Sequence, residues 1–211
     1  MTTIVLIAKE PLPGKAKTRL HPPLTLEQAA ELAAASIDDT LAALESLPAT
    51  RRILAYDGVV LPARTGNYEV MHQSGGDLDE RLGAIFDACD GPTLLIGMDT
   101  PQIALHDLAE AFPWPDDVDA FFGPASDGGF WALGLAEPRG DLIRGVPMSR
   151  DDTGRIQLQR LFDAQLNVKL LPTLTDVDTI DDAHVAAAIA PNSLFASMLS
   201  HFTSLTPVSA E

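Results

Sequence analysis

Two hydrophobic rhythms alternate along this chain. Short apolar runs read as strands: Thr3–Ala8 as a buried one and PTLLIGMD from Pro92 as a fully apolar one, with RRILAYDG from Arg51 and YEVMHQ from Tyr68 as the second and third strands. Between them apolar residues recur at helical spacing. QAAELAAASIDDTLAALESL predicts a helix that Thr25 caps and that runs to about Leu47, with Gln28 completing a capping box. DLDERLGAIFDACD predicts a second helix. PQIALHDLAEAF predicts a third, with Pro101 at a favoured first-turn position. DVDAFFGPASDGGFWALGL reads as two strands about a turn. DDTGRIQLQRLFDAQL reads as a helix, NVKLLPTL as a strand and TIDDAHVAAAIA as a last helix. The closing residues, FTSLTPVSAE and their neighbours, read as a tail.

Strands alternating with helices predict an α/β fold, a mainly parallel sheet covered by helices on both faces. No internal repeat or linker divides the chain. A single domain over residues 1–192 is expected, with 193–211 as a C-terminal tail or helix. Sheets of this kind bind ligands beyond the carboxyl ends of their strands. The polar segments that stand out all follow strands: the loop after Ala8, Asp99, the Asp127-Gly128-Gly129 turn, and Asp176 with Asp178. Cations and acids are therefore expected to meet at one edge of the sheet.

Charge sharpens that expectation. The chain carries 14 Lys and Arg against 30 Asp and Glu, a net charge of −16. So acidic a protein is a poor partner for nucleic acid or an anionic membrane. Yet AKEPLPGKAKTRL places Lys9, Lys15, Lys17 and Arg19 in one Pro/Gly loop. Pro13 and Gly14 shape its turn, and the cations suit the phosphates of a small anion such as a nucleotide. The alternative is a solvated surface loop. It is neither a Walker loop nor a GxGxxG fingerprint. The single cysteine, Cys89, reads as a small core residue, and no Cys/His spacing suggests zinc. No run reaches the ~18 apolar residues of a membrane span, and no secretory signal is evident, so a cytoplasmic protein is expected.

The acids each carry two readings. Asp99, ending a buried strand before Thr100-Pro101, can hold Mg²⁺ or Mn²⁺ on phosphates or cap a helix. In Asp176-Val177-Asp178-Thr179 the alternation points both acids to one side if extended, whereas Asp178 or Thr179 can cap the last helix. Ser126-Asp127-Gly128-Gly129 is a hairpin turn by its Asp-Gly pair, or a place where backbone and Asp127 approach a ligand. Gly75-Gly76-Asp77 is a loop and cap, or a close approach to a base or sugar. Trp114 and Trp131 read as packing residues.

AKEPLPGKAKTRL, GDLDERL, LLIGMDTP, GPASDGGFWALGL and DVDTIDD, in this order, closely resemble a family of small bacterial proteins long classed as a domain of unknown function. That family belongs to the nucleotide-diphospho-sugar transferase superfamily, and the resemblance covers roughly residues 3–190. It implies a GT-A (Rossmann-like) fold and a metal-dependent transferase using a nucleotide or nucleotide-diphospho-sugar. Some members are described as glycosyltransferases linked to arsenosugar biosynthesis, which favours glycosyl transfer to a small acceptor. Similarity to phospholactate and molybdenum cofactor guanylyltransferases and to CMP-Kdo synthetase implies the alternative of nucleotidyl transfer with pyrophosphate release. A nucleotide-binding protein without catalysis is a third possibility. By the same resemblance Lys9, Pro13, Gly14, Lys15, Lys17 and Arg19 hold nucleotide phosphates, and Asp99 and Asp178 hold Mg²⁺ or Mn²⁺. Gly75, Gly76 and Asp77 are placed at the nucleotide, and Lys15, Arg19 and Asp127 are assigned to catalysis.

Overall fold

A computed structural model describes residues 2–205. Its strands are β1 (Thr3–Lys9), β2 (Arg51–Asp57), β3 (Glu69–His72), β4 (Thr93–Gly97), β5 (Ala120–Pro124), β6 (Phe130–Leu135) and β7 (Val168–Leu170). The helices are α1 (Leu26–Glu45), α2 (Leu78–Asp87), α3 (Leu105–Leu108), α4 (Thr153–Asp163), α5 (Ile180–Ile189) and α6 (Leu194–Leu205). The strands form a seven-stranded sheet in the order β3-β2-β1-β4-β6-β5-β7. Within it β6 runs against its neighbours, pairing antiparallel with both β4 and β5. The fold is the expected α/β architecture.

Strand alternation sorts the core into two layers. On one face Ile4, Leu6, Leu54, Leu94 and Ile96 pack with Ile37, Leu41 and Leu44 of α1. On the other, Val5, Ile53, Leu95, Phe122 and Leu133 pack with Leu82, Ile85 and Phe86 of α2 and Leu161 of α4. A third cluster joins Leu32 and Ala35 of α1 to Ala183 and Ala186 of α5 and Phe195 and Leu199 of α6. Cys89 lies in the second core layer, where burial raises its thiol pKa. Trp131 is buried with its Nε1 donating to Pro172 O, and Trp114 packs edge-on to Phe121. Among the described residues no helix is long and apolar enough to cross a membrane.

The Thr25–Gln28 capping box forms as expected. Two expectations are corrected. The segment from Pro101 is not a continuous helix: residues 101–104 turn first, α3 spans four residues, and a 3₁₀ turn follows at Ala109–Ala111. Gln102 explains this, because its Nε2 reaches across to Thr175 O at 2.7 Å and is buried there. After α5 the chain forms the helix α6, one of the two forms expected there, and it takes in residues 202–205 of the run read as a tail; the amides of Leu194 and Phe195 donate to the Asp39 carboxylate on α1. The tail expectation for residues 206–211 lies outside the described residues.

β1 has β2 on one side and β4 on the other, both parallel to it. Chain order reverses there, so the β1/β4 crevice is the switch point where such sheets take ligands.

Candidate active site

The loop leaving β1 is built around two buried anchors, Ala16 and Leu20. Lys17 lies between them. Its backbone is left-handed (φ 49°, ψ 39°) and it precedes the 3₁₀ turn Thr18–Leu20, whose Leu20 amide bonds back to Lys17 O. This conformation, rare for a residue with a Cβ, goes with an inward side chain that is only 9% exposed. Nζ lies 2.6 Å from Asp99 Oδ1 and 3.4 Å from Asp178 Oδ1. Arg19 Nη1 reaches the other oxygen of Asp178 at 3.4 Å but is 76% exposed. Burial pulls the Lys17 pKa down, but the charge and hydrogen bond of Asp99, then Asp178 and Asp176, outweigh it and leave the pKa raised. The ammonium thus stays charged in the folded protein.

Asp99 follows β4, and its carbonyl accepts from Val177 N at 2.9 Å. That bond brings the segment after β7 against the end of β4. Val177 is buried, and Asp176 and Asp178 on either side of it both line the pocket, as their alternation predicts. Asp178 does not cap α5; Thr179 does, in a capping box with Asp182. Nor does Asp99 cap a helix, because no helix starts at Thr100. Early cations and two remote acids therefore meet at one edge of the sheet.

Asp176, which the metal assignment to Asp99 and Asp178 leaves out, also lines the pocket. Its Oδ1 is buried and has no hydrogen-bond partner. Burial, then the charges of Asp99 and Asp127, push its pKa up to about 7. A raised carboxyl pKa means that the folded state holds a proton that the unfolded chain releases near pH 4. Stability is then expected to fall as pH rises from about 4 to 7. Asp176→Asn should flatten that decline and raise the melting temperature at pH 8 by a few degrees, at ~2–4 °C per kcal/mol recovered for a chain of this size. Thermal melts of both proteins across pH 4–8 check it; parallel curves would contradict it.

Beyond these groups a cavity of about 770 Å³ opens along the carboxyl edge of the sheet. Lys9, Lys15, Lys17 and Arg19 line it together with Asp99, Asp127, Asp176 and Asp178. Among the described residues neither Lys9 nor Lys15 has a carboxylate within ion-pair distance. Pro13 and Gly14 (φ +74°) shape the turn without lining the cavity; Gly75, Gly76 and Asp77 also lie outside its wall, although Leu78, Arg81 and Leu82 just beyond them form part of it. Asp127 is in a hairpin turn, where its Oδ1 accepts from Gly129 N at 2.8 Å.

Three further lining residues have no role assigned from sequence, although Arg81 lies in the GDLDERL motif. Arg81 pairs with Asp57 at 3.0 Å, and Arg150 with Asp152 at 2.9 Å. Gln73 donates both amide hydrogens, to Ala8 O and Ala55 O, which fixes its side chain across the ends of β1 and β2. Its role depends on strand neighbours that no local pattern announces.

A family profile described as "Uncharacterized protein conserved in bacteria (DUF2064)" matches residues 29–150. The chain belongs to the DUF2064 family. It is also similar over nearly its whole length to a Desulfovibrio desulfuricans G20 protein provisionally named a nucleotide-diphospho-sugar transferase. Identity there is 27%, coverage 97% of this chain and 96% of the other, and the TM-score 0.84. The fold extends to more distant proteins. A Thermus thermophilus 2-C-methyl-D-erythritol 4-phosphate cytidylyltransferase is 16% identical, with coverage of 90% and 100% and a TM-score of 0.56. A Methanothermobacter nucleotidyl transferase is 14% identical, with coverage of 92% and 99% and a TM-score of 0.60. No protein of curated function matches the sequence. This DUF2064 protein thus has the nucleotide-diphospho-sugar transferase fold.

Proposed function

We propose that this protein is a metal-dependent transferase that acts on a nucleotide-diphospho-sugar and passes the glycosyl group to a small acceptor. The observation that carries this is the meeting of the β1-loop cations with Asp99 and Asp178 at the switch-point cavity. The name of the Desulfovibrio relative supports the substrate class.

The donor set suits Mg²⁺ or Mn²⁺. Asp99 and Asp178 offer hard oxygen ligands and are each 43% exposed, and Asp176 adds an unpartnered oxygen. Among the described residues no group of three or more acids or His/Cys side chains forms a complete cage. Magnesium takes as few as one or two protein carboxylates, here Asp99 and Asp178, and completes its shell with phosphate and water. When bound, the ion would neutralise charge on the diphosphate.

The protein's own groups do the rest. Lys9, Lys15 and Arg19 bind and orient the diphosphate and offset the charge that develops as the bond from sugar carbon to diphosphate oxygen breaks. Asp127 accepts the proton of the acceptor hydroxyl as its oxygen bonds to the sugar carbon. Leu78, Leu82 and Phe130 provide apolar wall for the remainder of the substrate.

A second reading, nucleotidyl transfer, is favoured by one observation. Among the described residues Lys9 and Lys15 both lack a carboxylate partner, so two unpaired cations line the cavity and can also meet the third phosphate of a nucleoside triphosphate. There an acceptor phosphate would attack the α-phosphorus of a nucleoside triphosphate, and pyrophosphate would leave beside Lys15 and Arg19.

Product analysis with a nucleotide panel, Mg²⁺ and candidate acceptors tests these readings. Nucleoside diphosphate release supports sugar transfer, and pyrophosphate release supports nucleotidyl transfer. Tight binding without turnover over the whole panel would favour a binding protein. Lys15→Ala and Arg19→Ala should each weaken nucleotide binding roughly ten- to a hundredfold, because a hydrogen bond to a charged group contributes ~1.5–3 kcal/mol. The loss should be greater at low salt. Unchanged affinity in both variants would make the loop a mere surface feature.

A further inference from the structure

We propose that the Lys17 ammonium and a divalent cation compete for the same two carboxylates, so that the site accepts a metal–polyphosphate chelate and discriminates against the metal ion alone. This rests on the proposed metal-dependent function and makes Lys17 the residue that decides which form of the substrate enters.

Three observations lead here. Nζ lies 2.6 Å from Asp99 and 3.4 Å from Asp178, so one positive charge already joins both acids. The side chain is 9% exposed and held from a left-handed backbone between the buried anchors Ala16 and Leu20. Lys17 is therefore far less solvated than Arg19, which is 76% exposed. Finally, any cation that takes both carboxylates strips the mostly buried ammonium of its two paired acids and leaves only the more distant Asp176 beside it, an arrangement proteins tolerate poorly.

A metal ion arriving alone meets that whole penalty. One arriving on a diphosphate or triphosphate does not, because phosphate oxygens provide a new anionic partner for the displaced ammonium. The exposed Lys9 and Lys15 line the same cavity and can engage the other phosphate oxygens. Metal and polyphosphate should therefore bind with positive coupling, each increasing the affinity of the other by the same factor.

Lys17→Met and Lys17→Gln remove the competing charge while keeping an unbranched side chain. Mn²⁺ binding, followed by electron paramagnetic resonance without nucleotide, is expected to be at least tenfold tighter in either variant than in the wild type. Adding Asp99→Asn should abolish the gain. If both variants unfold, the wild type still decides: Mn²⁺ alone should leave its melting temperature unchanged, whereas Mn²⁺ with inorganic pyrophosphate should raise it. Wild-type binding of Mn²⁺ alone as tight as in the variants, or an equal thermal shift without pyrophosphate, would overturn the proposal. Nucleotide binding separates the two levels. If the wild type binds Mn²⁺–nucleotide but also binds Mn²⁺ alone equally well, competition is refuted and the proposed function stands. If the variants gain Mn²⁺ while the wild type binds no nucleotide, competition stands and the proposed function fails.

Discussion

Asp99→Asn is expected to lose metal-dependent nucleotide binding by roughly a hundredfold while the fold survives. Positioning partners of metal ligands are themselves worth ~10–100-fold, so a direct carboxylate ligand should cost no less. The backbone role of Asp99 does not depend on its side chain, because its carbonyl, not its carboxylate, takes the Val177 amide. The carboxylate is 43% exposed and meets the Lys17 ammonium, which keeps Asp178 as a second partner. The thermal transition should therefore move by only a few degrees. Calorimetric titration with and without Mg²⁺, beside a melting curve, checks both halves. Full-strength binding in the variant would remove Asp99 from the metal assignment.

Gly128→Ala should do the opposite: destabilise the protein strongly and disturb Asp127 as a consequence. Gly128 has φ +90°, and a Cβ there would stand 1.9 Å from Asp151 O. The obstruction is backbone and cannot rotate away. Gly128 O also accepts from Gly154 N at 2.8 Å, so the turn after β5 is fixed to the first turn of α4. Relieving the clash means separating these two segments. Strained backbone of this kind costs ~1–3 kcal/mol before any packing is lost, so a total on the order of 3 kcal/mol or more is expected. At ~2–4 °C per kcal/mol the melting temperature should fall by roughly 6–12 °C. A variant melting within a degree of the wild type would contradict the close approach. Asp127 takes its orientation from the Gly129 amide in the same turn, so its distance from Asp176 should change too.

What the chain discloses in one dimension follows the range of each interaction. Local signals were legible. The apolar run of β1, the Thr25–Gln28 cap and the Asp127-Gly128 turn each depend on neighbours within a few residues, and each forms. The meeting of Lys17, Arg19, Asp99 and Asp178 was legible for a different reason. A mainly parallel sheet delivers the residue after every parallel strand to one edge, so position relative to strands stood in for distance. Features set by remote partners were not legible. Pro101 and Gln102 look like a helix start, but the bond of Gln102 to Thr175 spans 73 residues and draws the segment into a turn. The start of α6 is capped by Asp39, 155 residues before Leu194. Burial was equally hidden. Asp176 and Asp178 are near-identical in sequence, yet of the two it is Asp176 that has an oxygen shut away without a partner. Gln73 and Arg150 enter the cavity through side-chain directions that no spacing encodes.

The central claim is that the cations of the β1 loop and the acids at 99 and 178 together hold a metal-chelated nucleotide. Titration calorimetry of the wild-type protein with a panel of nucleoside triphosphates and nucleotide-diphospho-sugars, in matched Mg²⁺ and chelator buffers, tests it most directly. At least one ligand should bind in Mg²⁺ and lose most of its affinity in chelator. Absence of binding across the panel in Mg²⁺, or binding indifferent to the metal, would contradict it.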